Sequence, residues 1–358
     1  MAQKNLCCLL YGPGKARFEH RDVPTLSDPY DILVRIAYVG AHFWKHGGVV
    51  RMVSEEQPLV MGHEASGIVH SVGPAVTKVV PGDRVAIEPG FSCRRCKQCK
   101  AGRYNICPEM SFAADPPDNH GTLARLFRTP EDFVYQMPES LSPEEAVLLE
   151  PLSVAAHGAR LAGITPGHTV LVQGSGTIGL LCAATAKAFG AKQVFISDIN
   201  QTKLDFAQKY LECPTFLPNI SSSRPEEEAR RMKNVLNLGE GVDIVLECTG
   251  VESSLQTGIY ASGPGGVVVQ IGLGSPNLSV PIINMCEKET VLKTAWRYAP
   301  GDYEMGLALL NSGPVSVKPL ISTIVPFEEA TKAWEMTQRG EGIKNLIRGV
   351  AEEVGDAD

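Results

Sequence analysis

The stretch Val170-Leu171-Val172-Gln173-Gly174-Ser175-Gly176-Thr177-Ile178-Gly179-Leu180-Leu181 decides the fold of this chain. An apolar, β-branched run ends at a cluster of glycines and continues into an alanine-rich segment, which predicts a strand, a tight turn and a helix. In a G-x-G-x-x-G turn the first glycine permits the bend, the second lets the backbone approach a pyrophosphate, and the third lets the helix pack on the strand. The free N–H groups at the start of the helix attract the phosphate charge. The residues predicted to contact the dinucleotide here are Gly174, Gly176, Thr177, Ile178 and Gly179.

A carboxylate after the next strand indicates which nicotinamide dinucleotide binds. The apolar run Gln193–Ser197 predicts that strand, and Asp198 follows it directly. A carboxylate at this position accepts hydrogen bonds from both ribose hydroxyls and repels a 2′-phosphate. The sequence therefore predicts a site for NAD in preference to NADP. The alternative is a glycine-rich turn in some other α/β domain.

Length and composition limit the class of protein. A chain of 358 residues is long for a single core, so two domains are expected. Hydrophobic content of 44% and charged content of 20% are typical of a globular protein. The net charge of −7 argues against nucleic acid or an anionic membrane as the main partner. The N-terminal apolar run is too short for a secretory leader or a membrane span, so we expect a cytoplasmic protein.

The pattern of predicted strands and helices changes twice along the chain. Residues 1–152 contain short strands and many turns, which predicts a compact β-rich domain. Residues 153–294 alternate strands with helices, including one predicted over Gln201–Leu211, as a doubly wound parallel sheet requires. Residues 295–358 contain a helix predicted over Asp302–Asn311, and we expect this part to return to the first domain.

Four cysteines predict a closed metal site. Cys93, Cys96, Cys99 and Cys107 follow one another as C-x₂-C-x₂-C-x₇-C, and four thiolates complete a tetrahedron around Zn²⁺. Such a site leaves no position for substrate, so its role is to brace the loop. Two disulfides, a redox pair and an iron–sulfur cluster are the alternatives. The other six cysteines lie in apolar surroundings and are expected in the core.

A histidine and two carboxylates are candidates for an open metal site. His63 and Glu64 follow an apolar run, and Glu150 lies between apolar residues, where a carboxylate needs a partner. Histidine with carboxylates suits a catalytic zinc that keeps one position free. For His63 alone, an ordinary hydrogen-bonded histidine is the alternative.

Taken together, these motifs resemble the zinc-dependent polyol dehydrogenases of the medium-chain alcohol dehydrogenase superfamily, which include sorbitol, xylitol and L-arabinitol dehydrogenases. The similarity runs from about residue 15 to residue 348, and within the group it is closest to the xylitol (D-xylulose reductase) enzymes of fungi. Besides the cysteine loop and the glycine turn, it is carried by His42-Phe43-Trp44-Lys45-His46-Gly47-Gly48, Gly62-His63-Glu64-Ala65-Ser66-Gly67, Glu150-Pro151-Leu152-Ser153-Val154, Glu247-Cys248-Thr249-Gly250 and Arg297-Tyr298.

The resemblance implies an α/β protein with a GroES-like catalytic domain and a Rossmann domain. It implies NAD-dependent oxidation of a sugar alcohol (xylitol, sorbitol or L-arabinitol) to the ketose at a catalytic zinc, in a dimer or tetramer. His63 and Glu64 are then zinc ligands or inner-shell groups, and Glu150 is a ligand or holds the zinc-bound water. The other implied contacts are Phe43 and Phe112 as walls of the polyol site, Arg297 and Tyr298 on the remaining hydroxyls, and Lys203 beside Asp198 on the ribose. Core aromatics and a solvated lysine are the alternatives for Phe43, Phe112 and Lys203.

The chain departs from this family at one catalytic segment. The family has Cys-Gly-Ser-Asp just before the match to His42, and its cysteine is a zinc ligand, whereas Tyr38-Val39-Gly40-Ala41-His42 runs straight through here. The thiolate and the neighbouring Ser and Asp are absent, so we expect weaker zinc binding and reduced activity. His42 or His46 is a candidate substitute ligand, with ordinary polar contacts as the alternative. A non-catalytic relative that still binds NAD and one zinc, or a misassigned exon boundary, are the competing interpretations.

Overall fold

The structure, a computed structural model, describes residues 4–42, 53–219 and 224–351. The chain forms two compact units, one made of Met1–Glu150 with Val317–Asp358 and the other of Pro151–Ser316. The predicted return to the first domain at residue 295 therefore differs from the structure, where the change falls after Ser316. The reason is that the helix Asp302–Asn311 is tied to the second unit, because Asp302 bonds to His157 and Arg160 there.

The first unit begins as a β-rich domain, as the sequence predicts. Its longest strand is buried along most of its length by aliphatic side chains such as Ile32, Val34 and Ile36. In chain order the strands are β1 (Asn5–Leu10), β2 (Ala16–Arg21), β3 (Asp31–Gly40), β4 (Leu59–Val60), β5 (Ala65–Val72), β6 (Arg84–Ile87), β7 (Gly90–Phe91), β8 (Ser111–Phe112), β9 (Leu126–Pro130) and β10 (Val134–Gln136). The helices over the same part of the chain are α1 (Lys97–Lys100), α2 (Pro143–Val147) and α3 (Leu149–Ala162), of which α3 continues into the second unit.

The second unit contains a parallel sheet whose strands are apolar and buried. Its strands are β11 (Thr169–Gln173), β12 (Gln193–Ser197), β13 (Thr215–Phe216), β14 (Val242–Glu247), β15 (Ser262–Gln270) and β16 (Val291–Thr294). Within the described residues they pair in the order β13-β12-β11-β14-β15-β16. Numbered from the first strand of this unit, that is the 3-2-1-4-5-6 order of the doubly wound Rossmann fold, so the predicted α/β class is confirmed. The helices are α4 (Thr177–Ala188), α5 (Gln201–Leu211), α6 (Pro225–Leu236), α7 (Glu252–Ala261), α8 (Ile282–Lys288) and α9 (Asp302–Asn311).

The C-terminal part completes the largest sheet of the first unit. It contains β17 (Ile321–Val325), α10 (Ala330–Gln338) and β18 (Lys344–Arg348). The sheet order is β10-β6-β5-β3-β18-β17, with β9 also paired to β3. β3 is antiparallel to both β5 and β18, with Val39 opposite Ala65 and Gly40 opposite Leu346. This register brings the end of β3, the start of β5 and the start of β18 together.

None of the helices in the described ranges combines the length and the apolar character that crossing a bilayer requires.

Candidate active site and metal centres

The glycine turn of the second unit has the geometry of a dinucleotide site. Gly174 has a φ of +97°, a conformation that favours glycine. A Cβ on Gly179 would lie 1.8 Å from the carbonyl oxygen of Gly174, so only glycine permits this approach of helix to strand. Gly176 caps the N-terminus of α4, and a Cβ added there would meet nothing within 4 Å. The turn therefore leaves open space in front of the helix N-terminus, where a pyrophosphate binds.

Asp198 lies beside that turn at the end of β12. Its Oδ2 accepts the backbone N–H of Ser175 at 2.6 Å, and its Oδ1 accepts that of Asn200 at 2.9 Å. The side chain of Asn200 accepts the N–H of Lys203 and so caps α5, which places Lys203 in the first turn of this helix. The carboxylate is thus held where a ribose is recognised, and the roles of Asp198 and Lys203 in binding remain predictions.

The four cysteines of the first unit converge as the spacing predicts. The Sγ atoms of Cys96 and Cys99 lie 3.5 Å apart, those of Cys96 and Cys107 3.9 Å, and those of Cys93 and Cys99 4.0 Å. A tetrahedral zinc with Zn–S bonds of about 2.3 Å places its sulfur atoms about 3.8 Å apart, so the set fits the ion. All four are free thiols, which is not the arrangement of a disulfide loop.

Backbone groups already favour the thiolate at one of these cysteines. The N–H groups of Arg95 and Cys96 lower the pKa of Cys93 to about 7. Loss of hydration raises the pKa of Cys107 to about 11, and the N–H of Cys93 opposes that shift. Metal binding requires deprotonated sulfur, so the loop offers one ligand in its binding form near neutral pH.

A second cluster of ligand atoms lies where β3, β5 and β18 meet. Nδ1 of His42 lies 3.2 Å from Nε2 of His63 and 3.7 Å from Oε1 of Glu64. The ligand atoms of these three residues all lie within 4.8 Å of one another. His63 and Glu64 are buried, whereas 45% of the His42 side chain is exposed. The set is therefore a candidate metal site, exposed on the side of His42.

Lys344 neutralises part of the charge in this cluster. Its Nζ forms an ion pair with Oε2 of Glu64, and both side chains are buried. Burial raises the pKa of Glu64, but the charges of Lys344, His42 and His63 outweigh it and the net pKa is lowered. Loss of hydration lowers the pKa of His42, although much of its side chain is exposed, and the Glu64 carboxylate opposes this shift. An ionised carboxylate and a neutral imidazole are the forms that bind a metal.

The structure brings some of the other predicted residues to this cluster. The ring of Phe112 is buried and its centroid lies 5.5 Å from that of His63, while its role as a wall of the polyol site stays a prediction. Glu150 is buried in the first turn of α3, and within the described residues it is not a member of the cluster of three. Phe43 and His46 lie outside the described residues, so their roles remain predictions.

Arg297 and Tyr298 belong to the second unit and lie in a strained loop. Arg297 has a φ of +53°, which is unusual for a residue with a side chain, and its guanidinium lies over the ring of Trp296. Tyr298 is 2% exposed and packs edge to face on Tyr303, with ring centroids 4.8 Å apart. Unusual backbone conformations cluster at functional sites, so the loop fits a binding role that remains a prediction.

Lys344 belongs to this cluster although it was not predicted from the sequence. A signal was present, because Ile343-Lys344-Asn345-Leu346-Ile347 places a lysine in an apolar strand, and a buried ammonium needs an anionic partner. The position of Glu64 near Lys344 follows from sheet register and could not be inferred from spacing.

Comparisons with known proteins identify the class. The family model described as the alcohol dehydrogenase GroES-like domain matches residues 28–139, and the model described as zinc-binding dehydrogenase matches residues 177–312. The chain belongs to the zinc-binding dehydrogenases and is an oxidoreductase. These are the two domains that the resemblance implied, and the zinc and nicotinamide cofactors expected from the sequence agree with them.

Individual relatives narrow the group. The chain is 46% identical over 352 residues to the probable D-xylulose reductase A of Aspergillus clavatus, which covers 97% of both proteins. It is 44% identical to the D-xylulose reductase A of Aspergillus niger, again over 97% of each. Galactitol-1-phosphate dehydrogenase from Escherichia coli has a similar structure, with a TM-score of 0.85, 25% identity, and coverage of 96% of this chain and 99% of that one. The resemblance to the polyol dehydrogenases that the sequence motifs indicated is thereby confirmed.

Proposed function

We propose that this chain oxidises a sugar alcohol, xylitol in the first place, to the ketose with NAD as hydride acceptor. The observation that carries the proposal is the buried His63–Glu64 pair against Phe112, in a chain whose second unit carries the glycine turn and Asp198. The choice of xylitol rests on the relatives that are named D-xylulose reductases.

The residues of the first unit bind the metal and shape its surroundings. His63 and Glu64 hold a zinc ion, which when bound polarises the carbinol oxygen and lowers its pKa. Lys344 offsets the charge of Glu64 and fixes one carboxylate oxygen, so the other points to the cluster. Phe112 excludes water from one side of His63, and this strengthens electrostatic interactions there. Glu150, buried at the start of α3, binds the metal or holds its water.

The residues of the second unit bind the cofactor and the distant hydroxyls. Asp198 accepts the ribose hydroxyls while the helix N-terminus at Gly176 receives the pyrophosphate. Lys203 assists on the same ribose. Arg297 and Tyr298 hydrogen-bond the polyol. In the first unit, Phe112 is proposed to wall the polyol site, and the same role stays a prediction for Phe43, which lies outside the described residues.

Assembly and location are further parts of the proposal. We expect a homo-oligomer, because β16 is an edge strand of the described sheet and the nearby Ile282 and Ile283 are 57% and 69% exposed. A reducing cytoplasm suits the four free thiols.

An initial-rate screen tests the proposal. Purified protein is assayed for NADH formation with xylitol, sorbitol and L-arabinitol, and with NADP in place of NAD, beside its zinc-to-protein ratio. We expect turnover with xylitol and NAD, and a rate with NADP that is lower by at least about tenfold. The absence of the catalytic Cys segment favours a second candidate, a non-catalytic relative, which predicts one zinc per chain, bound NADH and no turnover with any polyol.

A further inference from the structure

The shortened segment before His42 places a histidine next to the predicted zinc ligands. Nδ1 of His42 and Nε2 of His63 lie 3.2 Å apart. Two nitrogen ligands on a tetrahedral zinc with bonds of about 2.0–2.1 Å lie about 3.3 Å apart. The ring planes are tilted by 53° with centroids 5.1 Å apart, so the rings are not stacked on each other. The two nitrogens face each other at the separation that two ligands of one zinc ion would have.

The backbone that carries His42 is fixed by the C-terminal part of the first unit. The N–H of Ala41 donates to the carbonyl oxygen of Asn345 in β18 at 2.9 Å. The hydroxyl of Thr337 in α10 donates to the carbonyl oxygen of Ala41 at 3.2 Å. The N–H of Gly40 donates to the carbonyl oxygen of Glu64 at 2.9 Å. His42 therefore comes directly after the end of β3, which these hydrogen bonds hold in place.

The carboxylate of Glu64 brings one oxygen close to the same two nitrogens. Lys344 occupies Oε2, and Oε1 lies 3.7 Å from Nδ1 of His42. Together the three residues supply two imidazole nitrogens and one carboxylate oxygen. A His₂Glu set is a recognised catalytic zinc site with three protein ligands and one open position. The exposed face of His42 supplies that opening.

We infer that His42 takes the place of the absent cysteine as a zinc ligand, so that the metal site of this chain is His42, His63 and Glu64. The inference deepens the proposed function, because it concerns the metal on which that function rests. The ligand set then contains no sulfur. Zinc binding does not depend on the absent segment, which in the family also carries the Ser and Asp. The chain then retains its second zinc although it lacks the family's thiolate.

Zinc stoichiometry tests the inference without using turnover. Wild-type protein is expected to hold two zinc ions per chain, one in the cysteine loop and one in this cluster. His42→Ala is expected to hold one zinc ion. Its affinity for a second zinc ion should fall by more than about 10–100-fold, which is the usual effect of losing a residue that only hydrogen-bonds a metal ligand. His70→Ala is the matched control, because His70 is an exposed histidine of β5 in the same unit, and it is expected to keep two.

A cysteine at the same position distinguishes a ligand from a hydrogen-bond partner. In His42→Cys the second equivalent of Co²⁺ is expected to add a near-ultraviolet thiolate-to-cobalt band that the wild type lacks for that equivalent. If His42→Ala fails to fold, this variant decides alone, and absence of the added band overturns the inference. Two zincs in a folded His42→Ala protein would overturn it as well.

The outcomes separate this inference from the proposed function. Two zincs in the wild type, one in His42→Ala and no NADH from any polyol would support the ligand and reject the proposed reaction. Turnover of xylitol with an unchanged zinc count in His42→Ala would support the reaction and reject the ligand. A wild type that takes up one zinc only would reject both.

Discussion

A Cβ placed on Gly40 would lie 1.7 Å from Oε2 of Glu64. The carboxylate therefore fills the space beside the end of β3 that any other residue would occupy. The same Cβ would lie 3.0 Å from Cε of Lys344. The ion pair between Glu64 and Lys344 therefore occupies space that is open only because residue 40 is glycine. Gly40 thus positions a predicted metal ligand although it has no side chain.

Substitution Gly40→Ala is expected to displace Glu64 and reduce zinc in the cluster. The methyl group cannot share space with a carboxylate that Lys344 holds in place, so Glu64 must swing away. We expect the zinc content to fall from two per chain towards one, measured by elemental analysis after dialysis. Gly263→Ala is the control, since its new Cβ would make only ordinary contacts at 3.6 Å. An unchanged zinc content in Gly40→Ala would contradict the placement of Glu64 at the metal.

Removal of the Asp198 carboxylate is expected to change cofactor preference. Asp198→Ala loses the acceptor for the ribose hydroxyls and the repulsion of a 2′-phosphate, as well as its bonds to the N–H groups of Ser175 and Asn200. Hydrogen bonds to a charged group contribute about 1.5–3 kcal/mol, so NAD affinity should fall by about 10–150-fold. Fluorescence titration with NADH and NADPH measures both affinities even if turnover is low.

The exposed Asp205 on α5 supplies the control for that experiment. Asp205→Ala removes a carboxylate of the same region that accepts a hydrogen bond from Gln201 on the same helix, and it should leave the preference unchanged. A ratio of NADH to NADPH affinity that stays the same in Asp198→Ala would show that another residue selects the cofactor.

Local patterns predicted much of the second unit. The strand over Gln193–Ser197 and the helices over Gln201–Leu211 and Asp302–Asn311 have the predicted bounds, because each has an apolar period and a clear end signal. The Rossmann order and the convergence of the four cysteines also follow from motifs that are short in sequence.

Non-local contacts decided what the sequence could not show. The pairing of Lys344 with Glu64 joins distant parts of the chain through the register of β3 with β18 and β5. The assignment of 295–316 to the second unit depends on Asp302, whose partners lie on α3. The deletion before His42 is evident from the sequence. The position of this histidine, however, depends on the hydrogen bonds of Ala41 with Asn345 and Thr337.

Asp302 is expected to hold the Arg297 loop in place. Its buried carboxylate lies 2.8 Å from Nδ1 of His157 and 2.6 Å from Nη1 of Arg160, and it accepts the N–H of Ala299 at 2.7 Å. Asp302→Ala leaves these groups without their acceptor and should destabilise the protein by at least about 2 kcal/mol, with part of the Arg160 contribution screened by solvent. A shift of the urea midpoint measures this, and KM for the polyol should rise because Arg297 is released.

Asp205→Ala again serves as the comparison, because an exposed substitution away from such contacts changes stability by about 0.5 kcal/mol or less. Equal midpoints for the two variants would mean that Asp302 does not anchor the loop.

Loss of one loop cysteine is expected to remove the structural zinc alone. Cys96→Ser takes away the thiol that also caps α1 by accepting the N–H of Cys99. We expect one zinc less per chain and faster proteolysis within residues 93–107, since the loop then lacks its brace. Cys286→Ser should change neither property, because this free thiol is exposed in the structure and does not lie in the core, where the sequence predicted it. Undiminished zinc in Cys96→Ser would reject the four-cysteine site.

Insertion of Cys-Gly-Ser-Asp between Ala41 and His42 is expected to raise kcat for xylitol by at least about 100-fold, the usual contribution of a positioned proton-transfer group. The reason is that the inserted Ser and Asp supply the relay and orientation that this chain lacks, while the cysteine takes over the ligand role of His42. Insertion of Ser-Gly-Ser-Asp tests the thiolate separately, and Cys-Gly-Ala-Ala tests the relay at the same loop length. The second of these should keep two zinc ions per chain but raise kcat little. A kcat of the wild type equal to that of the Cys-Gly-Ser-Asp variant would show that the chain is fully active as it stands, with His42 and its neighbours sufficient for the reaction.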